Sequence, residues 1–201
     1  SQPLLTGQLF RELPLSPLMA QCLVNRGVAS KAEVSEFLNP RLKLLADPFL
    51  IPNMDAAVER LWKAREDNER LLIYGDYDVD GVSSTALLVE MLTELGWTAQ
   101  PYLPSRFDGG YGLSVVALEK CLEKFDVDIV LAVDCGSTAV EAIEFLNSKK
   151  VDVLVLDHHQ VSVPPPEPLA MVNPQVSNDY PNFQELCSVG LAFKLAHALV
   201  K

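Results

Sequence analysis

Positive charge is scarce in this chain. Its 201 residues carry 16 Lys and Arg against 27 Asp and Glu, a formal net charge of −11 at pH 7. That balance argues against a broad basic face that would grip nucleic acid by bulk attraction. It does not exclude phosphate chemistry, because a cation site needs clustered carboxylates, and these inflate the negative count until cations bind. Cysteine is equally sparse. Cys22, Cys121, Cys135 and Cys187 form no C-x-x-C pair, which argues against a structural zinc site and reads as free thiols in a reducing cytoplasm. No run of about 18 uncharged apolar residues occurs, so no membrane-spanning helix and no membrane partner is expected. The opening Ser1-Gln2-Pro3-Leu4-Leu5 lacks the basic stretch and apolar core of a secretory signal, and a cytoplasmic location is the expectation. Internal repeats and low-complexity stretches are also missing.

What is present is globular in character, with 49% apolar and 21% charged residues. Residues 1–50 differ from the rest. Two short amphipathic helices are expected near 16–26 and 31–38, the second opened by a Ser30–Glu33 capping box, followed by a connector from Pro40 to Pro52. From Asn53 the pattern becomes regular, and residues 51–201 read as one domain. Helices are expected from an Asn53 cap to about 68, over 83–95, 114–124, 138–147 (with Thr138 and Glu141 spaced as a capping box) and 188–200. Strands are expected over 71–74, 98–103, 127–133, 151–156 and 169–172. Alternating strands and helices, with strands apolar throughout, predict an α/β fold: a mostly parallel sheet with helices on both faces, preceded by a short helical N-terminal segment.

Chemistry in such folds sits at the carboxyl ends of the strands. Asp76, Asp78 and Asp80 directly follow the first strong strand; Asp134 follows the 127–133 strand; Asp157, His158 and His159 follow the 151–156 strand. If the strands are parallel, all three groups meet on one edge. Carboxylates gathered there repel one another, and a bound cation removes the conflict. Oxygen ligands with one imidazole suit Mn²⁺, with Mg²⁺ the alternative. Two such ions clamp a phosphate between them and acidify a water. Each group also has a plainer explanation. Asp-x-Asp-x-Asp-Gly opens calcium loops of the EF-hand type, but here the twelfth position is Leu87 rather than Glu, and a strand precedes it. A haloacid-dehalogenase-like phosphatase would need no His pair. Asp134 alone reads equally well as a helix cap. His197, on an apolar helix, reads as structural. The adjacent His158 and His159 carry the most weight, since paired imidazoles on a loop rarely serve core packing.

These residues resemble the DHH phosphoesterase superfamily, through Asp157-His158-His159, Gly75-Asp76-Tyr77-Asp78-Val79-Asp80-Gly81 and Val133-Asp134-Cys135-Gly136-Ser137. Asn173-Pro174 and Ser188 to Lys194 add to the resemblance, and Arg106 to Ser114 narrows it to the RecJ-like family, the bacterial single-strand-specific exonucleases. The resemblance runs from about residue 50 to residue 201. It implies a metal-dependent 5′→3′ exonuclease that releases 5′-mononucleotides from single-stranded DNA in repair and recombination, with Mn²⁺ as a two-ion cofactor. It implies Asp78, Asp80, Asp134 and His158 as metal ligands, Asp134 bridging the two ions and Asp76 a weaker candidate. Asp157 would orient the imidazoles and His159 would face the scissile phosphate. Arg106 would hold a phosphate, Tyr111 would stack a base, and Gly112 and Ser114 would lie along the strand. Gly136 and Ser137 would offer amides and a hydroxyl to phosphate. The family also supplies one more aspartate and a second domain, absent from these residues, which implies an N-terminal fragment or a truncated form. Single-strand-binding protein or a helicase are the partners such an enzyme implies. The alternatives are an oligoribonuclease, a cyclic-dinucleotide phosphodiesterase, or a non-catalytic replisome scaffold of the same fold.

Overall fold

The computed structural model describes residues 11, 13–105, 112–179 and 183–201. The chain divides into two compact units, Ser1–Ala46 and Asp47–Lys201. In the first, α1 (Pro17–Asn25) is capped by Ser16 and α2 (Lys31–Leu38) by the reciprocal Ser30–Glu33 box. Ala20, Leu23, Val24 and Val34 form its small buried core.

The second unit is built on a sheet of β1 (Leu71–Gly75), β2 (Ala99–Tyr102), β3 (Ile129–Val133), β4 (Asp152–Leu156) and β5 (Ala170–Val172), in the order β2-β1-β3-β4-β5. Every neighbouring pair is parallel. Its helices are α3 (Met54–Glu66), α4 (Val79–Glu94), α5 (Val115–Leu122), α6 (Val140–Ser148) and α7 (Ser188–Leu199). Alternate residues of each strand point to opposite faces. Leu71 and Ile73 of β1 share one core with Leu61 of α3, Leu88 and Leu92 of α4, and Leu191 and Leu195 of α7. Leu72 and Tyr74 share the other with Leu118 of α5 and Ile143 and Leu146 of α6. Both faces are thus covered, which is why all five residues of β1 and of β3 are buried and why these strands read as continuous apolar runs.

The strand order reverses at β1. The chain moves from β1 outward to β2, then returns past β1 to β3 and continues to β4. Right-handed crossovers require the connecting helix to change faces when the direction changes, so α4 lies on one face and α5 and α6 on the other. The reversal leaves a crevice beyond the carboxyl ends of β1 and β3, the usual ligand position in doubly wound sheets.

Three local expectations are corrected. Helix α4 begins at Val79, not 83, because Asp78 caps it: its carboxylate accepts from the N–H groups of Asp80 and Gly81. Thr138 and Glu141 form no capping box, and α6 starts at Val140 with no side-chain cap. Asn53 adopts a left-handed backbone (φ 60°) and does not cap α3. Its amide instead donates to the Met171 carbonyl at 2.8 Å, tying the start of α3 to β5.

Candidate metal centre

Four strand ends supply the residues at the crevice. Beyond β1, Asp76 is buried and its Oδ1 accepts from the Tyr77 N–H at 2.6 Å. Two residues on, Asp78 turns its Oδ1 back onto α4, at 2.9 Å from the Asp80 nitrogen and 3.0 Å from that of Gly81. Asp80 stands in the first turn of α4, and its carboxylate crosses to α7, where Oδ2 accepts from the Ser188 N–H at 2.8 Å and Oδ1 from that of Val189 at 3.0 Å. Beyond β3, Asp134 takes a left-handed backbone (φ 62°), a conformation aspartate tolerates better than most residues. Its N–H is fixed by the Leu156 carbonyl of β4 at 3.1 Å.

The histidines follow β4. Asp157 is buried and organises them: its Oδ1 accepts from the backbone N–H of His158 (2.8 Å) and of His159 (3.2 Å) and lies 2.7 Å from Nδ1 of His159. Its Oδ2 accepts from the Ser137 N–H at 3.0 Å. With Nδ1 held, His159 presents Nε2 outward. Beyond β5, Asn173 is fully buried, and its amide donates to the Ser137 hydroxyl (2.7 Å) and to the His159 carbonyl (2.9 Å). The segments after β3, β4 and β5 are therefore tied together by one hydrogen-bonded chain.

Asp134, His158 and His159 each offer a ligand atom, and those atoms lie within 4.8 Å of one another. The Nε2 of His158 is 3.4 Å from Asp134 Oδ1 and 3.7 Å from Asp80 Oδ2. Asp134 is 1% exposed, and neither of its carboxylate oxygens has a hydrogen-bond partner among the described residues. A buried carboxylate without donors is expensive. Burial, followed by the charges of Asp78 and Asp80, pushes its pKa up to about 7. Neighbouring groups move the other way. Asp78 is held below the usual carboxylate range, chiefly by the Gly81 N–H. Burial works against the charge of Asp157, but hydrogen bonds from Ser137 and His159 outweigh it and lower its pKa. Burial likewise disfavours protonated His159, yet its bond to Asp157 and the charges of Asp157, Asp134 and Asp76 raise it overall. Negative charge without donors at Asp134, faced by imidazole nitrogens, is a donor set that fits a divalent cation.

The other expected residues have varied positions. Gly112 has φ +74°, and its carbonyl accepts from the Tyr74 hydroxyl at 3.1 Å. Gly112, Asp134, Gly136, Asp157 and His159 help line a cavity of about 350 Å³ beside the histidines. Ser114 caps α5 through the Ala117 N–H. Ser137 is 1% exposed, and its N–H and hydroxyl are both engaged inside the protein, by Asp157 and Asn173. Arg106 and Tyr111 lie outside the described residues. Sequence reasoning gave no role to Asn173 or to the amides of Ser188 and Val189. The strand-end rule, applied once more after β5, would have found Asn173. No local signal marks the Ser188 and Val189 amides.

A doubly wound sheet with carboxylates and imidazoles gathered at its switch point defines a class of α/β domain whose chemistry is built from strand ends. The chain belongs to the DHH family: residues 70–201 match the model of the family's N-terminal domain. It is 37% identical over 193 residues to the single-stranded-DNA-specific exonuclease RecJ of Bacillus subtilis, covering 96% of this chain and 24% of that protein. It is 36% identical over 201 residues to the Haemophilus influenzae protein of the same name, covering 94% of this chain and 33% of that one. Among solved structures, RecJ in complex with Mn²⁺ from Thermus thermophilus aligns with a TM-score of 0.72 at 30% identity, over 96% of this chain and 26% of that chain. The chain thus spans about a quarter to a third of the length of these curated relatives.

Proposed function

We propose that this domain holds the metal ions of a single-strand-specific 5′→3′ DNA exonuclease that serves repair and recombination. The observation that carries the reading is Asp134, a buried carboxylate with both oxygens unpartnered among the described residues, facing His158 and His159. The relatives named above are exonucleases specific for single-stranded DNA, and one was crystallised with Mn²⁺. Asp134, His158, Asp80 and Asp78 would hold Mn²⁺, with Mg²⁺ the alternative, Asp76 lending its charge from behind. When bound, the ions supply Lewis-acid polarisation of the phosphate and make water a better nucleophile at neutral pH.

The chain's own residues supply orientation and a proton. Asp157 locks the His159 ring by its Nδ1, so Nε2 is directed at whatever occupies the cavity. The raised pKa keeps more of that imidazole protonated near neutral pH, suiting it to donate a hydrogen bond to a phosphate oxygen that gains charge. Gly112 and Gly136 help line that cavity, and Arg106 and Tyr111 would extend the contact to phosphate and base.

The test uses the whole protein. A 5′-labelled single strand should be degraded in Mn²⁺ with release of 5′-mononucleotides, while duplex DNA, a short RNA and a cyclic dinucleotide are spared. Preferential cleavage of the RNA or the cyclic dinucleotide would replace this reading with the corresponding phosphodiesterase. Saturable single-strand binding with no hydrolysis in any metal would replace it with a scaffold.

A further inference from the structure

Asp80 differs from the other carboxylates of the centre in what holds it. The Asp78 carboxylate is held by its own helix, and neither carboxylate oxygen of Asp134 has a hydrogen-bond partner among the described residues. Asp80 is gripped by amides 108 and 109 residues away, the first two of α7. The same Oδ2 that accepts from Ser188 lies 3.7 Å from Nε2 of His158. These N–H groups have no partner within their own helix, and the first turn of a helix favours negative charge. A side chain in the first turn of α4 would otherwise be free to rotate away from Asp134, whose charge repels it.

We infer that the first turn of α7 is a positioning element of the metal centre: the backbone N–H groups of Ser188 and Val189 fix the Asp80 carboxylate in the orientation in which it serves a cation beside His158. This rests on the metal-binding reading given above. Asp80 then bridges two partners, the amides on one side and the cation on the other. Occupying the centre and docking α7 become linked, each favouring the other. The hydroxyl of Ser188 has no part in this, since its Oγ is buried with no partner among the described residues.

Ser188 is the first residue of α7, the position where proline is best tolerated in a helix, and Cys187 before it is extended (φ −75°, ψ 170°), as a residue preceding proline should be. Ser188→Pro therefore deletes the N–H that Asp80 Oδ2 accepts from without breaking the helix. Ser188→Ala deletes only the unpartnered hydroxyl. In Mn²⁺ titrations of the full protein by calorimetry, Ser188→Pro should weaken binding about tenfold or more, the usual effect of losing an outer partner of a ligand, while Ser188→Ala binds as the parent does. Asp134→Asn, run alongside, should abolish binding.

Binding lost in Asp134→Asn but unchanged in Ser188→Pro overturns the inference and leaves the metal reading intact. Binding unchanged in Asp134→Asn overturns both. Equal weakening in Ser188→Ala and Ser188→Pro assigns the effect to the side chain and also overturns the inference. A second measurement needs no variant. In the parent protein, the Ser188 and Val189 amide resonances should shift during Mg²⁺ titration with the same midpoint as the His158 ring. Amides that stay in place as the His158 ring responds would overturn the inference even if Ser188→Pro proved unable to fold.

Discussion

Replacing Asp134 with Asn is expected to abolish Mn²⁺ binding while making the metal-free protein more stable near neutral pH. The two effects share one cause. Asp134 is buried, its oxygens lack donors among the described residues, and its pKa is raised from the usual carboxylate value of 3.8 to about 7. A carboxyl whose pKa is higher folded than unfolded binds more protons when folded. Stability contributed by that proton is fully present below about pH 4 and is lost as pH rises towards 7. Above pH 7 the folded, cation-free protein carries the full penalty, on the order of 2–4 kcal/mol. Asn keeps the shape, tolerates the left-handed backbone at φ 62° and removes the charge. Urea denaturation in excess EDTA should show the variant more stable at pH 8, with the gap closing towards pH 4. A gap that is constant with pH would show that charge burial at Asp134 is not the source. With Mn²⁺ present the order should reverse, because only the parent gains binding energy. Asp134→Ala is the poorer test, since it adds backbone strain at positive φ to the loss of the carboxylate.

The second large effect is expected at Gly81. A Cβ built there falls 2.5 Å from the carbonyl oxygen of Asp76, 2.6 Å from its nitrogen and 2.8 Å from its carbonyl carbon. These are backbone atoms at the end of β1 and cannot step aside as a flexible side chain can. Gly81→Ala must therefore push the first turn of α4 away from the sheet, taking Asp78 and Asp80 with it. The cost should be about 3 kcal/mol, the upper range for overpacking a closed site. Mn²⁺ affinity should fall by more than the loss of folded protein explains, because ligand positions shift even in molecules that fold. Chemical denaturation paired with Mn²⁺ titration checks this. A variant as stable as the parent, with parent-like affinity, would refute the steric argument. Gly96 is a useful contrast: the nearest atoms to its built Cβ are the ends of the Arg65 side chain, at 3.3 Å, which can move, so only its φ of +92° opposes substitution.

The sheet was legible because it is buried on both faces. Leu71 to Tyr74, Ile129 to Val133 and Val153 to Leu156 are apolar without interruption, and only covered parallel strands require that. The candidate site was legible to the extent that its residues obey one rule, that chemistry follows strand ends. Asp76, Asp78, Asp80, Asp134 and the Asp157 to His159 run were found that way. Helix starts were harder to read. Asp78-Val79-Asp80-Gly81 resembles a loop because Asp and Gly are poor helix formers, yet Asp78 is the cap that lets the helix begin there. Thr138 and Glu141 have the spacing of a capping box, but Ser137 and Gly136 are committed to the interior, and the helix starts beyond them. The grip of α7 on Asp80 was illegible for a different reason. Backbone amides are the same in every residue, so no side-chain pattern announces that Ser188 and Val189 will meet a carboxylate from the other end of the domain.

The strand order β2-β1-β3-β4-β5 also bears on time. Asp80, Asp134, His158 and Ser188 are far apart along the chain, and β1 cannot receive β3 until the intervening β2 and α5 have been bypassed. Loops of that length close late and slowly. Helices α3 and α4 can form early from local contacts, whereas the ligand-bearing ends of β1, β3 and β4 meet only once the parallel β1–β3 and β3–β4 pairs have formed. Competence to take up Mn²⁺ should therefore be among the last properties regained on refolding, trailing the return of helical signal. A stopped-flow experiment that follows both would show the lag, and simultaneous recovery would mean that the sheet closes in one step with its helices.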